Sequence, residues 1–97
     1  MAVMYIVETT GGREMYDKAQ ETLSKEQRPS GFMFHAAAEN ESGGMVIVEL
    51  WESEQQREQW IEKVDRVVQQ AGGFDRGMPR VRKFQVYNTF REEWMKR

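Results

Sequence analysis

The stretch from Gly43 to Trp60, GGMVIVELWESEQQREQW, changes from a strand pattern to a helix pattern within two residues. Residues 45–51 are mostly β-branched or aromatic, as in a strand. Ser53 follows, and Gln56 stands three residues after it, which is the spacing of a helix capping box. The apolar residues beyond recur at helical spacing as far as Gly72, a residue type that favours helix ends. A strand joined directly to an amphipathic helix is therefore the strongest local constraint on the fold.

The rest of the chain adds three strands and one helix to this pair. The patterns predict strands at 2–8, 32–38 and about 80–88, and a helix from Arg13 to about Ser24. Thr10 could cap that helix, and the polar residues 39–44 predict a hairpin loop. The order β-α-β-β-α-β predicts an α+β, ferredoxin-like subunit, in which a four-stranded antiparallel sheet has two helices on one face.

Length and composition narrow the function classes. We expect 97 residues to form a single domain, 1–97, with 89–97 as a C-terminal tail or short helix. No apolar run approaches the ~20 residues of a membrane span, and the N-terminus lacks a signal-peptide pattern, so we expect no membrane partner. The chain has no cysteine, which fits a cytoplasmic protein. A net charge of −2 argues against nucleic acid, and the single histidine against a multi-histidine metal site.

Both faces of three predicted strands are apolar. The alternation predicts that Val3, Tyr5 and Val7 oppose Met4 and Ile6, that Phe32, Phe34 and Ala36 oppose Met33, His35 and Ala37, and that Met45, Ile47 and Trp51 oppose Val46, Val48 and Leu50. Two helices cover one face only, so the other would leave a large exposed apolar patch. We therefore expect a homodimer through the sheet face. Cover by a different protein or by the aromatic tail is the alternative.

Several stretches together resemble the antibiotic-biosynthesis-monooxygenase-like dimeric α+β barrel proteins. They are GGMVIVELWES, the Gly31-Phe32 start of the second strand with its histidine, and VYN at 86–88, within a similarity that covers about residues 2–90. The resemblance implies a dimeric α+β barrel. It also implies a range of activities, among them cofactor-independent quinone-forming monooxygenases, haem-degrading monooxygenases, lactone isomerases and proteins with no known reaction.

The haem-degrading branch of this superfamily fits the chain poorly. Trp60 matches a tryptophan of that branch, but Gln70 stands where the branch has its haem-ligating histidine. The first strand, AVMYIVE, also lacks the asparagine of that branch. A neutral glutamine does not replace an imidazole as an iron ligand, so we expect no cofactor.

His35 is the candidate catalytic base. It lies mid-strand among apolar residues, where desolvation keeps an imidazole neutral. Glu49 is an unusual residue in MVIVELW, and one register of the hairpin would place it directly opposite His35, whereas the neighbouring register would place it on the other face. Such a pair could remove an acidic proton from a substrate. The alternative is a core histidine that is hydrogen-bonded to backbone or to a tyrosine.

Four further residues are candidate ligand contacts. They are Tyr5, Trp60, Tyr87 and Asn88, since an aromatic-lined cavity with a few polar groups suits a small apolar ligand. Trp60 also fits the core stripe of its helix, and Tyr87 with Asn88 also fits an ordinary strand end. The basic residues Arg76, Arg80, Arg82 and Lys83 could bind an acidic partner or form a solvated strand edge that discourages aggregation.

The same element order occurs in RNA-recognition domains, but GGMVIVELW lacks their basic and central aromatic positions. Taken together, these observations predict a dimeric barrel that binds a small, largely apolar molecule. The resemblance adds cofactor-independent monooxygenation of an aromatic or polyketide-like substrate. A ligand-binding or interaction dimer without turnover is the alternative.

Overall fold

A computed structural model describes residues 2–73 and 77–89 of the chain. Six elements follow in the order β1 (Val3–Glu8), α1 (Arg13–Leu23), β2 (Phe32–Glu39), β3 (Met45–Trp51), α2 (Glu54–Gln70) and β4 (Arg80–Gln85). The strands form one sheet in the order β2-β3-β1-β4, and each neighbouring pair is antiparallel. The predicted ferredoxin-like fold is confirmed. Neither helix in the described ranges is long and apolar enough to cross a membrane.

Two predicted boundaries differ from the structure. The last strand ends at Gln85 rather than at residue 88, and the predicted tail lies, beyond Thr89, outside the described residues. Thr10 does not cap α1, because the N-cap is Gly12 and no side chain bonds to that helix end. The hydroxyl of Thr9 instead donates to the carbonyl of Gly11 at 2.7 Å and accepts from the amide of Met45 at 3.1 Å. Thr9 thus ties the end of β1 to the start of β3.

Helix α2 begins and ends as its sequence predicts. The hydroxyl of Ser53 accepts a hydrogen bond from the amide of Gln56 at 3.2 Å, which satisfies one of the free amides of the first turn. At the other end Gly72 has φ +77°, and the amide of Gly73 donates to the carbonyl of Val68 at 2.8 Å. This is a Schellman motif, which a side chain at Gly72 would strain.

A register shift at the start of β2 corrects one predicted face. Phe32 pairs with Trp51 and Phe34 with Leu50, so Met33 is an extra residue on β2, as in a β-bulge. Phe32 therefore lies on the same face as His35, not with Phe34 and Ala36 as simple alternation predicts. The alternation predicted for β1 and β3 is confirmed by their pairing.

The two faces of the sheet differ in what covers them. The inner face, which lies under both helices, holds a core cluster of Val3, Tyr5, Val7 and Trp51. Trp51 is only 1% exposed and its ring meets that of Phe32 edge-on, with centroids 5.6 Å apart. The outer face carries Met4, Ile6, Phe34, Ala36, Ala38, Val46, Val48, Leu50 and Phe84. Phe34 and Phe84 are 50% and 41% exposed, so this apolar face is open in the single chain.

Candidate active site

A cavity of about 710 Å³ lies between the inner face and the two helices. Helix α1 contributes Met15 and Tyr16, the sheet contributes His35 and Ile47, and α2 contributes Trp60 among others. The apolar stripe of α2 (Trp60, Ile61, Val64 and Val68) is only half-buried, since it faces this cavity rather than close-packed side chains. The stripe that the sequence predicts is therefore the wall of a cavity.

Four polar or ionisable residues cross the inner face in register. His35 on β2 is the partner of Glu49 on β3, Glu49 is the partner of Tyr5 on β1, and Tyr5 is the partner of Lys83 on β4. We call this set the polar row. Of the two registers that the sequence leaves open, the structure has the one that places His35 directly opposite Glu49.

His35 is hydrogen-bonded to a residue of α1. Its Nε2 lies 2.5 Å from the hydroxyl oxygen of Tyr16, and the two rings are tilted with centroids 5.9 Å apart. Burial lowers the pKa of His35, and the negative charge of Glu49 opposes that change. Burial, together with the charges of Asp17 and Glu49, raises the pKa of Tyr16. Both groups are therefore neutral near pH 7, and the direction of their bond follows the imidazole tautomer.

Glu49 bonds to residues other than His35. Its Oε1 accepts from Trp51 Nε1 at 2.9 Å and from Arg57 Nε at 2.8 Å. The guanidinium of Arg57 also lies 4.0 Å from the centroid of the Tyr5 ring. Burial raises the pKa of Tyr5, although the charge of Arg57 lowers it in part. Glu49 on β3 and Arg57 on α2 form a buried ion pair, and the ring of Tyr5 packs against the guanidinium of this pair.

The predicted ligand contacts do not all lie together. Trp60 lines the cavity, whereas Tyr5 lies below Arg57 in the core. Tyr87 and Asn88 come after the end of β4, where both are exposed and neither is among the described residues that line the cavity. The structure thus brings His35, Glu49 and Trp60 to one cavity and leaves Tyr87 and Asn88 outside it.

The basic cluster lies on the edge strand β4. A guanidinium nitrogen of Arg82, Nη2, is 3.9 Å from Oε1 of Glu8, and Nζ of Lys83 donates a hydrogen bond to Oε2 of Glu54 at 2.9 Å. The Lys83–Glu54 bond raises the pKa of that lysine. Arg80 is exposed, and Arg76 is outside the described residues. These positions fit the edge-strand interpretation better than an acidic-ligand site.

Sequence reasoning missed two residues of the site. Tyr16 lies in the first predicted helix, and nothing in the surrounding sequence marks it as the partner of His35. Arg57 had a detectable signal, because it stands three and four residues before Trp60 and Ile61 and so falls on the apolar stripe of α2. A charge on such a stripe indicates a buried partner, which is Glu49. Within residues 2–73 and 77–89, no group of three or more metal-binding side chains is clustered.

The element order and the sheet topology define a ferredoxin-like α+β domain. No protein-family model and no curated protein sequence matches the chain. Solved structures do. One is a candidate antibiotic biosynthesis monooxygenase from Deinococcus radiodurans, at 10% identity and a TM-score of 0.64, with 94% of this chain and 97% of that chain covered.

A second similar structure is a point mutant of SnoaB, a cofactor-independent oxygenase from Streptomyces nogalater. Its identity is 12% and its TM-score 0.60, over 94% of this chain and 97% of that chain. A further structure of SnoaB has 12% identity and a TM-score of 0.55, over 94% and 96% of the two chains. The resemblance that the sequence indicates is confirmed for the fold, which is as far as identities this low reach.

Proposed function

We propose that the chain binds a small, largely apolar molecule, aromatic or polyketide-like, in the cavity between sheet and helices. A volume of about 710 Å³ falls within the range of ~300–1,000 Å³ typical of small-molecule sites. Apolar side chains of the sheet and of both helices form much of the wall, and polar groups lie around His35 and Arg57 and also along residues 20–28 at the C-terminal end of α1 and beyond it. This arrangement suits a ligand that is held by its apolar body and oriented by one or two polar atoms.

The reaction class that this site supports best is oxygenation without a cofactor. In this scheme His35 removes a proton from an acidic methylene group, and the resulting carbanion reduces O₂. The methylene carbon becomes a carbonyl, one oxygen atom enters the product, and the other leaves as water with the two hydrogens. Glu49 stabilises the imidazolium that forms, since its charge raises the pKa of His35. The fold likeness to SnoaB, a cofactor-independent oxygenase, supports this reaction class.

One observation carries the proposal: a neutral imidazole, hydrogen-bonded to Tyr16, forms part of the wall of an apolar cavity. Such a base needs no metal or flavin when the substrate carbanion is itself stabilised by conjugation. The depressed pKa keeps His35 in the form that accepts a proton at neutral pH.

The outer face supports a homodimer as part of the same proposal. A second copy packing sheet to sheet would remove Phe34, Phe84 and the apolar residues between them from water. The two sheets would then close an α+β barrel with a cavity on each side. Native mass spectrometry of the purified chain tests this directly, because a monomer at micromolar concentration would contradict it.

Oxygen consumption tests the chemistry. A suitable probe is 1,8-dihydroxyanthrone, which is polycyclic and has an acidic methylene group between two aromatic rings. We expect one O₂ consumed for each quinone formed, and a loss of about 10²–10⁴-fold in His35→Gln, the usual effect of removing a general base. Arg66→Gln, an exposed change on α2, is the matched control. Equal rates in all three proteins would rule out His35 as the base.

A non-enzymatic binder is the second candidate. It is favoured by the hydrogen bond that already satisfies Nε2 of His35. A binder would hold the anthrone in the cavity without accelerating its oxidation, and His35→Gln would change only the affinity. Titration of tryptophan fluorescence reads that affinity, because Trp51 and Trp60 both lie at the cavity wall.

A further inference from the structure

Arg57 is unusual among the residues that line the cavity, because it is charged and 8% exposed. A guanidinium has five N–H donors, and only the Nε–H of Arg57 is bonded to a described residue, Glu49. Arg57 nonetheless lines the cavity. Within the described residues, the four Nη–H donors of this side chain have no bonded partner, so they are the donors that it offers a ligand.

Two contacts fix the position of this guanidinium. Nε is bonded to Glu49 Oε1, and the Tyr5 ring packs against the guanidinium at 4.0 Å. Trp51 in turn holds Glu49 through the same carboxylate oxygen. A donor that is held in this way loses little conformational entropy when a ligand oxygen binds to it.

Glu49 links the guanidinium to the proposed base. It is both the bonded partner of Arg57 and the cross-strand partner of His35. His35 and Arg57 also line the same cavity. This arrangement suits one small conjugated ligand that contacts both side chains.

We propose that the outer N–H groups of Arg57 bind a carbonyl or phenolic oxygen of the ligand, conjugated with the carbon that loses its proton to His35. This inference rests on the proposed function and assigns Arg57 as the residue that positions the oxygen of the ligand. Proton removal then places negative charge on an oxygen that already accepts hydrogen bonds from a cation, which lowers the barrier.

Charge balance favours such an oxygen over a permanent anion. Glu49 neutralises Arg57 within the ion pair, and the other charged side chains that line the cavity are those of Glu26, Arg28 and Asp65. The described lining thus has three acidic and two basic side chains, which disfavours a ligand with a permanent negative charge. The site is therefore suited to an enol or phenol that ionises in place.

The test uses 2-naphthol, which has two apolar rings and one oxygen and whose ionisation is visible by absorbance. Its partner probe is 2-methylnaphthalene, which has the same rings without the oxygen. We expect wild-type protein to lower the pKa of bound naphthol by about one unit, a tenfold preference for the phenolate. Arg57→Lys retains a charge beside Glu49 but loses the forked donors, and we expect most of the shift to disappear.

Removal of Arg57 alone could unfold the chain, so the Arg57→Gln/Glu49→Gln double variant removes both charges together. Arg66→Gln, which changes an exposed cation on the same helix, is the control and should retain the full shift. Loss of the shift in the Arg57 variants, with methylnaphthalene binding retained, supports the inference. An unchanged naphthol pKa overturns it while leaving cavity binding intact. Failure of both probes to bind wild-type protein overturns the inference and the proposed function together.

Discussion

The inner and outer faces of the sheet have the same alternation of apolar residues but different polar content. Four polar residues, His35, Glu49, Tyr5 and Lys83, cross the inner face in one row. At the same level the outer face has Ala36, Val48 and Ile6, followed by Arg82 on the edge strand β4, and Glu8 and Arg80 lie at strand ends. One sheet thus presents a bonded polar site on one side and, over β2, β3 and β1, a mostly apolar surface on the other.

The two faces of the sheet are stabilised in different ways. Polar groups placed in apolar surroundings cost free energy unless they are bonded, and the inner face meets this cost with the Arg57–Glu49 pair and the Tyr16–His35 bond. The outer face has no such requirement and needs only cover from water. A change of charge should therefore act through stability on the inner face and through association on the outer face.

Breaking the ion pair should produce the largest effect. Arg57→Met leaves the carboxylate of Glu49 buried beside Trp51 without its cation, and we expect a loss of about 3–5 kcal/mol in the free energy of unfolding. Urea unfolding followed by tryptophan fluorescence measures it. The double variant Arg57→Met/Glu49→Gln should recover most of that loss. If the two variants are equally unstable, the pair is not the source of the effect.

A charge on the outer face tests the other half of the comparison. Val48 lies at its centre, between Ile6 and Ala36, and Val48→Asp would place two carboxylates in the apolar interface of the dimer that we propose. We expect the dimer to dissociate roughly 100-fold more readily, about 2.7 kcal/mol, while the single chain stays folded. Sedimentation over a concentration series reads this change. Gln55→Asp, at an exposed position of α2, adds the same charge and should leave association unchanged.

The third prediction concerns the pH dependence of the inner face. Burial sets the pKa of His35 in the folded chain below its unfolded value of about 6.5. The unfolded chain then binds more protons, so stability falls as pH falls through that value and levels off below the folded pKa. His35→Gln should remove this part of the loss. Thermal unfolding at pH 7.5 and pH 5 compares the wild-type protein with His35→Gln. Identical pH profiles would mean that the pKa of His35 is the same in the folded and unfolded chains.

The smallest expected effect comes from a substitution at the start of α2, away from both faces of the sheet. It serves as a reference for the larger effects. Ser53→Ala removes the side-chain cap of α2 and should cost about 1 kcal/mol of unfolding free energy. Dimer dissociation and the naphthol pKa should both stay at wild-type values. A change in either would show that the orientation of α2 controls the faces, and the comparison would need revision. Urea unfolding measures the stability, sedimentation measures dimer dissociation, and absorbance measures the naphthol pKa.

The order and type of the elements could be predicted because each local signal agrees with the fold. Periodicity, the Ser53 cap and Gly72 all locate α2 correctly. The sequence leaves the register of the β2–β3 hairpin open, although the loop contains the residues that determine it. Asn40 Oδ1 accepts from the amides of Ser42 and Gly44, and Gly43 has φ +90°. Turn chemistry of this kind fixes the register once its hydrogen bonds are known.

The site was less predictable, for two physical reasons. The bulge in β2 falls among three apolar residues, Phe32 to Phe34, where alternation has no polar position to mark its phase. The bonds of Tyr16 to His35 and of Arg57 to Glu49 join separate elements, so they depend on how the helices pack over the sheet. Residue types alone single out His35, Glu49 and Trp60 as candidates, but they do not predict the bonds of His35 to Tyr16 and of Glu49 to Arg57.

Because of the bulge, the effect of deleting one residue from β2 depends on where in the strand that residue lies. Met33 is the residue without a cross-strand partner, so its deletion would remove the bulge and leave both flanking pairs in place. Deletion of Ala36, with the pairs nearer the hairpin held in place, would instead shift the residues before it by one position and exchange their faces. His35 would then leave the cavity for the surface that we expect the second copy to cover. Deletion of one codon at the bulge would therefore keep the strand pairing, whereas deletion of one codon nearer the hairpin would remove His35 from the site.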